Sequence, residues 1–309
     1  MNVLSPGTGA AASCTAVTIG TYDGVHLGHQ SLFRELLHLG RSQSLTTTVV
    51  TFDPHPSRVV NGASGPLSLT SLAHKLDLIG SLGIDQTMVV PFDQSRAHES
   101  AEDFVRNVLA RDLSARLVVV GTDFHFGRGR AGNVEVLTRL GRTHGFRVVA
   151  APLRLSEGDP ISSSRIRRLI AQGNMETAAL LLGRPHCVTG TRLKGASMED
   201  SGASFSVVVP ADIAVPAAGL YFGDFGHEHG SRQDALLHVV DDTGLERLID
   251  LRPLNTETGG DNSLDSSLTL SLSFALKLPR MKSGSLITRE LANQFESADV
   301  LRNTSARRQ

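Results

Sequence analysis

The chain has 309 residues, 30 basic against 31 acidic side chains, and 40% apolar residues. That length suits two domains, each able to bury a core. A net charge of −1 excludes recognition of nucleic acid or a membrane surface through bulk charge, so a phosphate-bearing ligand must meet a local cluster of cations. The two cysteines, Cys14 and Cys187, have no cysteine neighbours. They read as free thiols of a reducing cytoplasm, not as a disulfide framework or a metal knuckle. The first sixteen residues are small and apolar, but they lack a basic residue and are interrupted by Pro6, Gly7 and Gly9. Neither a secretory leader nor a membrane span is expected.

In chain order, residues 16–19 form a short apolar strand that runs into Gly20-Thr21-Tyr22-Asp23-Gly24-Val25-His26-Leu27-Gly28-His29. An amphipathic segment follows over 30–39, with Leu32, Phe33, Leu36 and Leu37 on one face. Gly40 stands where a left-handed cap would end that helix. Residues 45–52 are a strand stopped by Asp53-Pro54-His55-Pro56, whose prolines forbid its continuation. A helix is predicted over 70–82 and a strand over 86–92. Ser100 and Asp103 resemble a capping box. Strands over 117–120 and 147–152 flank a helix over 133–144, and short helices span 161–173 and 174–183. Strands alternating with helices predict right-handed βαβ units, a parallel sheet, and a ligand beyond the carboxyl ends of its strands.

After Arg184-Pro185 helical periodicity stops. Residues 204–209, 219–222, 235–240, 245–251 and 268–278 are strand-like, the last with leucine or phenylalanine at every second position from Leu268 to Leu278. A mobile loop over 254–267 and a final helix over 287–300 are also expected. The predicted fold is therefore α/β: a Rossmann-like parallel-sheet domain over 1–185, then a mostly antiparallel, barrel-like β domain over 186–309 with a C-terminal helix.

Three loops carry chemistry. His26 and His29 sit on one side of a glycine turn at a helix N-terminus, where neutral or charged imidazole donates to phosphate oxygens. Gly20, Gly24 and Gly28 would let the backbone approach a ligand. Taken alone, the same residues also suit a turn with two solvated histidines. Ser162, Ser163 and Ser164 lead into Arg165, Arg167 and Arg168. This is an anion cradle or, read plainly, a capped basic helix. In the stretch 121–130, Phe124 and Phe126 lie between glycines with Arg128 and Arg130 following. It reads either as a glycine-rich surface loop or as a contact for an aromatic ring and phosphates.

Gly20-x-Tyr22-Asp23-Gly24-x-His26-x-Gly28-His29 together with Ile161-Ser162-Ser163-Ser164-x-Ile166-Arg167 resembles the His-x-Gly-His nucleotidyltransferase superfamily. Thr51-Phe52-Asp53-Pro54-His55-Pro56, Val120-Gly121-Thr122-Asp123-Phe124-x-Phe126-Gly127 and Leu181-Leu182-Gly183-Arg184-Pro185 narrow it further. With them the chain, over about residues 14–190, is similar to the adenylyltransferase module of prokaryotic FAD synthetase, the bifunctional riboflavin kinase/FMN adenylyltransferase. Tyr22 replaces the family's usual phenylalanine. The resemblance implies transfer of AMP from Mg-ATP to FMN, giving FAD and pyrophosphate. It implies catalysis by His26, His29 and Arg167, with Gly20, Tyr22, Asp23, Gly24, Ser163 and Ser164 at the ATP site. Asp123 would lie near nucleotide and Mg2+, and Asp53, Pro54, His55, Pro56, Phe124 and Phe126 would line the flavin cleft.

Val188-Thr189-Gly190 and Lys194-Gly195-Ala196 look like the opening of the riboflavin kinase barrel, and residues 215–223 like its next strand. Where that family carries Gly-x-Pro-Thr-Ala-Asn, this chain has Ser204-Phe205-Ser206-Val207-Val208-Val209. An Asn-Pro-Thr-Phe stretch and a recognisable catalytic glutamate are also missing. A degenerate kinase domain is expected, serving as scaffold or homo-oligomer contact. Three other readings stay open: an enzyme that also phosphorylates riboflavin, a superfamily transferase for a different phosphate ester, and a non-catalytic flavin-nucleotide carrier.

Overall fold

The alternation of apolar strands and amphipathic helices produces two sheets of opposite character, seen in a computed structural model that describes residues 1–7, 13–62, 65–193, 205–226, 230–240, 247–254 and 269–278. These residues lie in one unit, Met1–Leu278. In chain order it holds β1 (Asn2–Leu4), β2 (Thr15–Ile19), α1 (Leu27–Ser42), β3 (Thr46–Asp53), α2 (Pro56–Asn61), α3 (Leu72–Ser81) and β4 (Gln86–Pro91). Next come α4 (Gln94–Ala97) and α5 (Ala101–Phe104), a π-helical run Val105–Asp112, and β5 (Ala115–Gly121). The hairpin β6 (His125–Phe126) and β7 (Gly132–Asn133) leads to α6 (Val134–His144) and β8 (Arg147–Ala151). A second hairpin, β9 (Leu155–Ser156) and β10 (Asp159–Pro160), precedes α7 (Ser163–Ala171) and α8 (Met175–Leu182). The remaining strands are β11 (His186–Arg192), β12 (Phe205–Val209), β13 (Gly219–Gly226), β14 (Arg232–Val239), β15 (Arg247–Pro253) and β16 (Thr269–Lys277).

The first sheet has six strands in the order β1-β4-β3-β2-β5-β8, and every pairing in it is parallel. Helices cover both faces, which is why β2 is buried at every position, its two threonines included. From β2 the chain builds outward through β3 and β4, then crosses back to β5. The switch point therefore lies between β2 and β5, with the histidine turn after one strand and the Asp123 loop after the other.

The parallel sheet and the β-rich second half agree with expectation. Three local readings do not. Residues 2–4 form an edge strand, Asn2 to Leu4 pairing with Gln86 to Met88, too short a run to show periodicity. Gly40 does not end its helix: α1 continues to Ser42. A Cβ on Gly40 would come within 2.8 Å of Thr47 Cγ2, so that glycine lets the helix lie close to the sheet. The β9–β10 hairpin was also silent in the sequence.

The second sheet is a closed barrel in the order β11-β12-β15-β14-β13-β16. Leu270, Leu272 and Phe274 point into it, as the period-two pattern requires, and residues 205–209 form a plain strand with alternating burial. The barrel core is continuous with α7 and α8. Ile166, Ile170, Met175 and Leu181 belong to the same apolar cluster as Val207, Leu237 and Leu272. At roughly 1.5–3 kcal/mol for each fully buried large aliphatic side chain, this shared core joins the barrel to α7, α8 and Leu69. The helix expected over 287–300, most of the loop over 254–267, Lys194-Gly195-Ala196 and Leu268 lie outside the described residues.

Candidate functional site

His26 is the N-cap of α1, and its Nδ1 accepts a hydrogen bond from the His29 amide at 3.3 Å. Because Nδ1 accepts, the proton of the neutral ring sits on Nε2. The two imidazoles stack with ring centroids 3.5 Å apart. Burial lowers the pKa of His26 from 6.5 to about 4, with the positive charges of Arg184 and Arg167 adding to the effect. Burial also holds His29 well below its ordinary value, reinforced by His26 and Lys75. Both rings are neutral near pH 7. The buried Nδ1 of His29 has no hydrogen-bond partner among the described residues.

The glycines around them first make room for the protein itself. A Cβ on Gly20 would meet the Tyr22 ring at 2.8 Å, and one on Gly28 would meet the His26 imidazole at 3.0 Å. Gly24 has φ +82° and no space for a Cβ, which would lie 2.7 Å from Leu69. Tyr22 turns inward. It is 2% exposed, and its hydroxyl lies 2.6 Å from Thr18 Oγ1. It supports the turn from the core side, packing edge-on against His29.

Asp23 faces the protein as well. Its carboxylate accepts from the Leu69 amide at 2.9 and 3.0 Å and from the Thr70 amide at 3.3 Å, and pairs with Arg167 Nη2 at 2.6 Å. Arg167 Nε donates to the Leu67 carbonyl at 2.6 Å. Ser163 Oγ donates to the Asp23 carbonyl at 2.9 Å. Ser162 is the N-cap of α7, and Ser164 is exposed in its first turn. The histidine turn and the serine–arginine helix therefore meet, with the N-termini of α1 and α7 at the carboxyl edge of the sheet. Asp23 fixes that junction, and two of the five N–H groups of Arg167 are committed to it.

The remaining candidates occupy neighbouring loops. Asp53 and Pro54 are exposed at the end of β3. His55 caps α2, its Nδ1 accepting from Ser57 at 3.2 Å, and burial lowers its pKa. Asp123 is exposed on the loop after β5. Phe124 and Phe126 stack 5.3 Å apart, but Phe126 is only 9% exposed and packs on Phe104 in the core. Phe124 is the ring left at the surface of that pair.

Sequence reasoning overlooked three groups. The buried ammonium of Lys75 bridges the carbonyls of Thr21 and Phe52, both at 3.3 Å, linking the turn after β2 to the end of β3. Only its place on the buried face of α3 hinted at this. Residues 67–70 supply the acceptor and donors that hold Arg167 and Asp23. Arg184 Nη2 donates to the Gly24 carbonyl at 2.9 Å, and burial lowers its pKa to about 10.

Stacked histidines beside the switch point of a parallel sheet define the candidate site of a doubly wound α/β protein. A family model for FAD synthetase matches residues 9–165, half of the chain, and the chain belongs to that family. It is 35% identical over 184 residues to a bifunctional riboflavin kinase/FMN adenylyltransferase of Buchnera aphidicola from Schizaphis graminum, covering 59% of each chain. It is 34% identical over 179 residues to the Escherichia coli K12 protein of the same description, covering 58% of this chain and 57% of that one. The chain thus spans less than two thirds of these relatives' length. A crystal structure described as a macrolide-efflux protein from Streptococcus pneumoniae superposes with a TM-score of 0.80 at 22% identity, covering 98% of this chain and 99% of that one. At that identity the likeness concerns the fold alone.

Proposed function

We propose that the chain is an FMN adenylyltransferase. A phosphate oxygen of FMN attacks the α-phosphorus of Mg-ATP, the bond from that phosphorus to the bridging oxygen breaks, and pyrophosphate leaves with the electron pair. FAD is the product. The observation that carries this reading is the stacked, neutral His26–His29 pair at the N-terminus of α1, locked to the N-terminus of α7 through Asp23, Ser163 and Arg167. Neutral imidazoles and helix termini donate to an oxyanion without carrying a fixed charge that must first be desolvated, and phosphoryl-type transfer asks for positioning and charge stabilisation. His26 donates to the triphosphate through Nε2–H. Ser164 and the uncommitted N–H groups of Arg167 face the leaving phosphates, and Asp23 positions Arg167 without touching ligand. Asp53, His55 and Phe124 lie toward the flavin.

Mg2+ arrives with ATP. Among the described residues no group of three or more His, Cys, Asp or Glu could hold an ion. The exposed Asp123 would offer the ion a single carboxylate contact beside the phosphates. Residues 1–185 form the transferase part. Residues 186–309 form a kinase-like part, its described strands β11–β16 closing the barrel, that lacks kinase activity and serves as scaffold or homo-oligomer contact. Its residues 205–209 are an unbroken strand where the kinase signature would stand. The relatives' description as bifunctional favours a second reading, in which the chain also phosphorylates riboflavin. The place of work is the cytoplasm, in keeping with two free cysteines and, among the described residues, no helix long and apolar enough to cross a membrane.

Incubation of the full chain with Mg-ATP and FMN, followed by chromatography, should show FAD and pyrophosphate. Failure to form FAD refutes the transferase reading. A parallel incubation with riboflavin should yield no FMN, and robust FMN formation would establish the bifunctional reading instead.

A further inference from the structure

The barrel reaches the histidine corner through a main-chain bridge between Ser68 and Ile213, which run parallel. The Ser68 amide donates to the Asp212 carbonyl at 2.7 Å, and the Ala214 amide donates to the Ser68 carbonyl at 2.8 Å. The next two residues, Leu69 and Thr70, are those whose amides hold the Asp23 carboxylate. Leu69 is fully buried in one cluster with Ile213, Ala214 and Val215. From the barrel side the bridge is pinned by His186, the first residue of β11, whose Nε2 lies 2.7 Å from the Ala214 carbonyl. His186 is 2% exposed, and burial lowers its pKa to about 4, so Nε2–H is the donor.

We propose that His186 is a positioning residue for adenylyl transfer: it holds the barrel segment 210–214 against Ser68, and so fixes the Leu69 and Thr70 amides that set Asp23, Arg167 and Ser163. The barrel is then a working part of the transfer site, whatever its own chemistry. This rests on the transferase reading above. The route is almost wholly main chain, so it has no rotamers to absorb a shift. A carboxylate held by two consecutive amides follows its segment directly, and an ångström of misplacement at a transfer site costs up to about a hundredfold in rate.

The test uses the full chain with three substitutions: His186→Phe, which keeps a ring but removes the donor; His186→Gln, which restores an N–H; and Ala214→Pro, which deletes the donor to Ser68. Hydrogen exchange at the Leu69 and Thr70 amides is measured beside kcat and KM for Mg-ATP. His186→Phe and Ala214→Pro should each speed that exchange and lower kcat about tenfold, with His186→Gln recovering most of both. Three results overturn the proposal: unchanged exchange at Leu69 and Thr70 in both disruptive variants, raised exchange with unchanged kcat, or His186→Gln as impaired as His186→Phe, which would assign the effect to packing. Should the native chain make no FAD, the transferase reading falls, and the exchange arm still decides whether His186 holds the bridge.

Discussion

Replacing Asp23 with alanine tests the central tie of the corner. The Asp23 and Arg167 side chains are 5% and 15% exposed, so little water screens them. Removing the carboxylate leaves Arg167, among the described residues, with the Leu67 carbonyl and leaves the Leu69 and Thr70 amides without their acceptor. Breaking a buried pair from one side costs about 3–5 kcal/mol, and each orphaned amide about 1–3 kcal/mol. These costs overlap, because relaxation that relieves one relieves the others, so a loss of about 4 kcal/mol is expected. Arg167→Met should cost less, about 2 kcal/mol, since Asp23 keeps its amide donors. The double variant should resemble Asp23→Ala alone, a coupling of about 2 kcal/mol. The chain has no tryptophan, so far-ultraviolet circular dichroism in urea is the assay. A loss below about 1 kcal/mol for Asp23→Ala, or additivity within about 0.5 kcal/mol, would refute the reasoning.

The buried histidines set an acid limit. His26 and His186 fall from 6.5 to about 4 on folding, so above pH 6.5 they add nothing to the pH dependence. Between those values the unfolded chain binds protons that the fold refuses, and each histidine removes about 1.4 kcal/mol per pH unit. Urea midpoints should fall steeply from pH 6.5 toward 4, where the contribution of these two histidines ends, and His186→Gln should flatten part of that slope. Lys75→Met should raise the pKa of His29, because the ammonium repels its protonated form. An imidazole titration followed by NMR would show it, and an unshifted His29 would remove Lys75 from the electrostatics of the corner. Gly28→Ala should lower kcat far more than stability, since its Cβ would press on the His26 ring at 3.0 Å. Gly24→Ala should cost about 2 kcal/mol in the same urea assay, through its positive φ and the clash with Leu69.

Much of the architecture was legible because its signals are local. Strands β2, β3, β4, β5 and β8 are short runs rich in β-branched residues, and helices begin where a short side chain accepts from the amide three residues on. Ser71, Ser100, Asn133, Ser162 and Asn174 all do so. The start of α1 was less clear because its cap is His26. Strand β1 and the β9–β10 hairpin were invisible, since two or three residues carry no period and their partners lie elsewhere. At the site, the motif spacing paired His26 with His29 and pointed to the serine–arginine helix. The family resemblance put Tyr22, Asp23 and Phe126 at a ligand surface, whereas the fold turns Tyr22 and Phe126 into the core and Asp23 into the protein. Side-chain direction at a turn depends on what packs behind it.

By itself the sequence determined the strand and helix alternation, the change to a β barrel, and the histidine and serine–arginine ends of the corner. Each of these is written within a few residues, as a period, a cap or a motif. Only the tertiary structure decided who holds the corner. Arg167 lies 144 positions from Asp23, Leu69 lies 46 from it, and Arg184 lies 160 from Gly24. No local pattern encodes such partners. They meet because the sheet closes over β2 and the barrel shares one apolar core with α7 and α8, bringing Ile213 to Ser68.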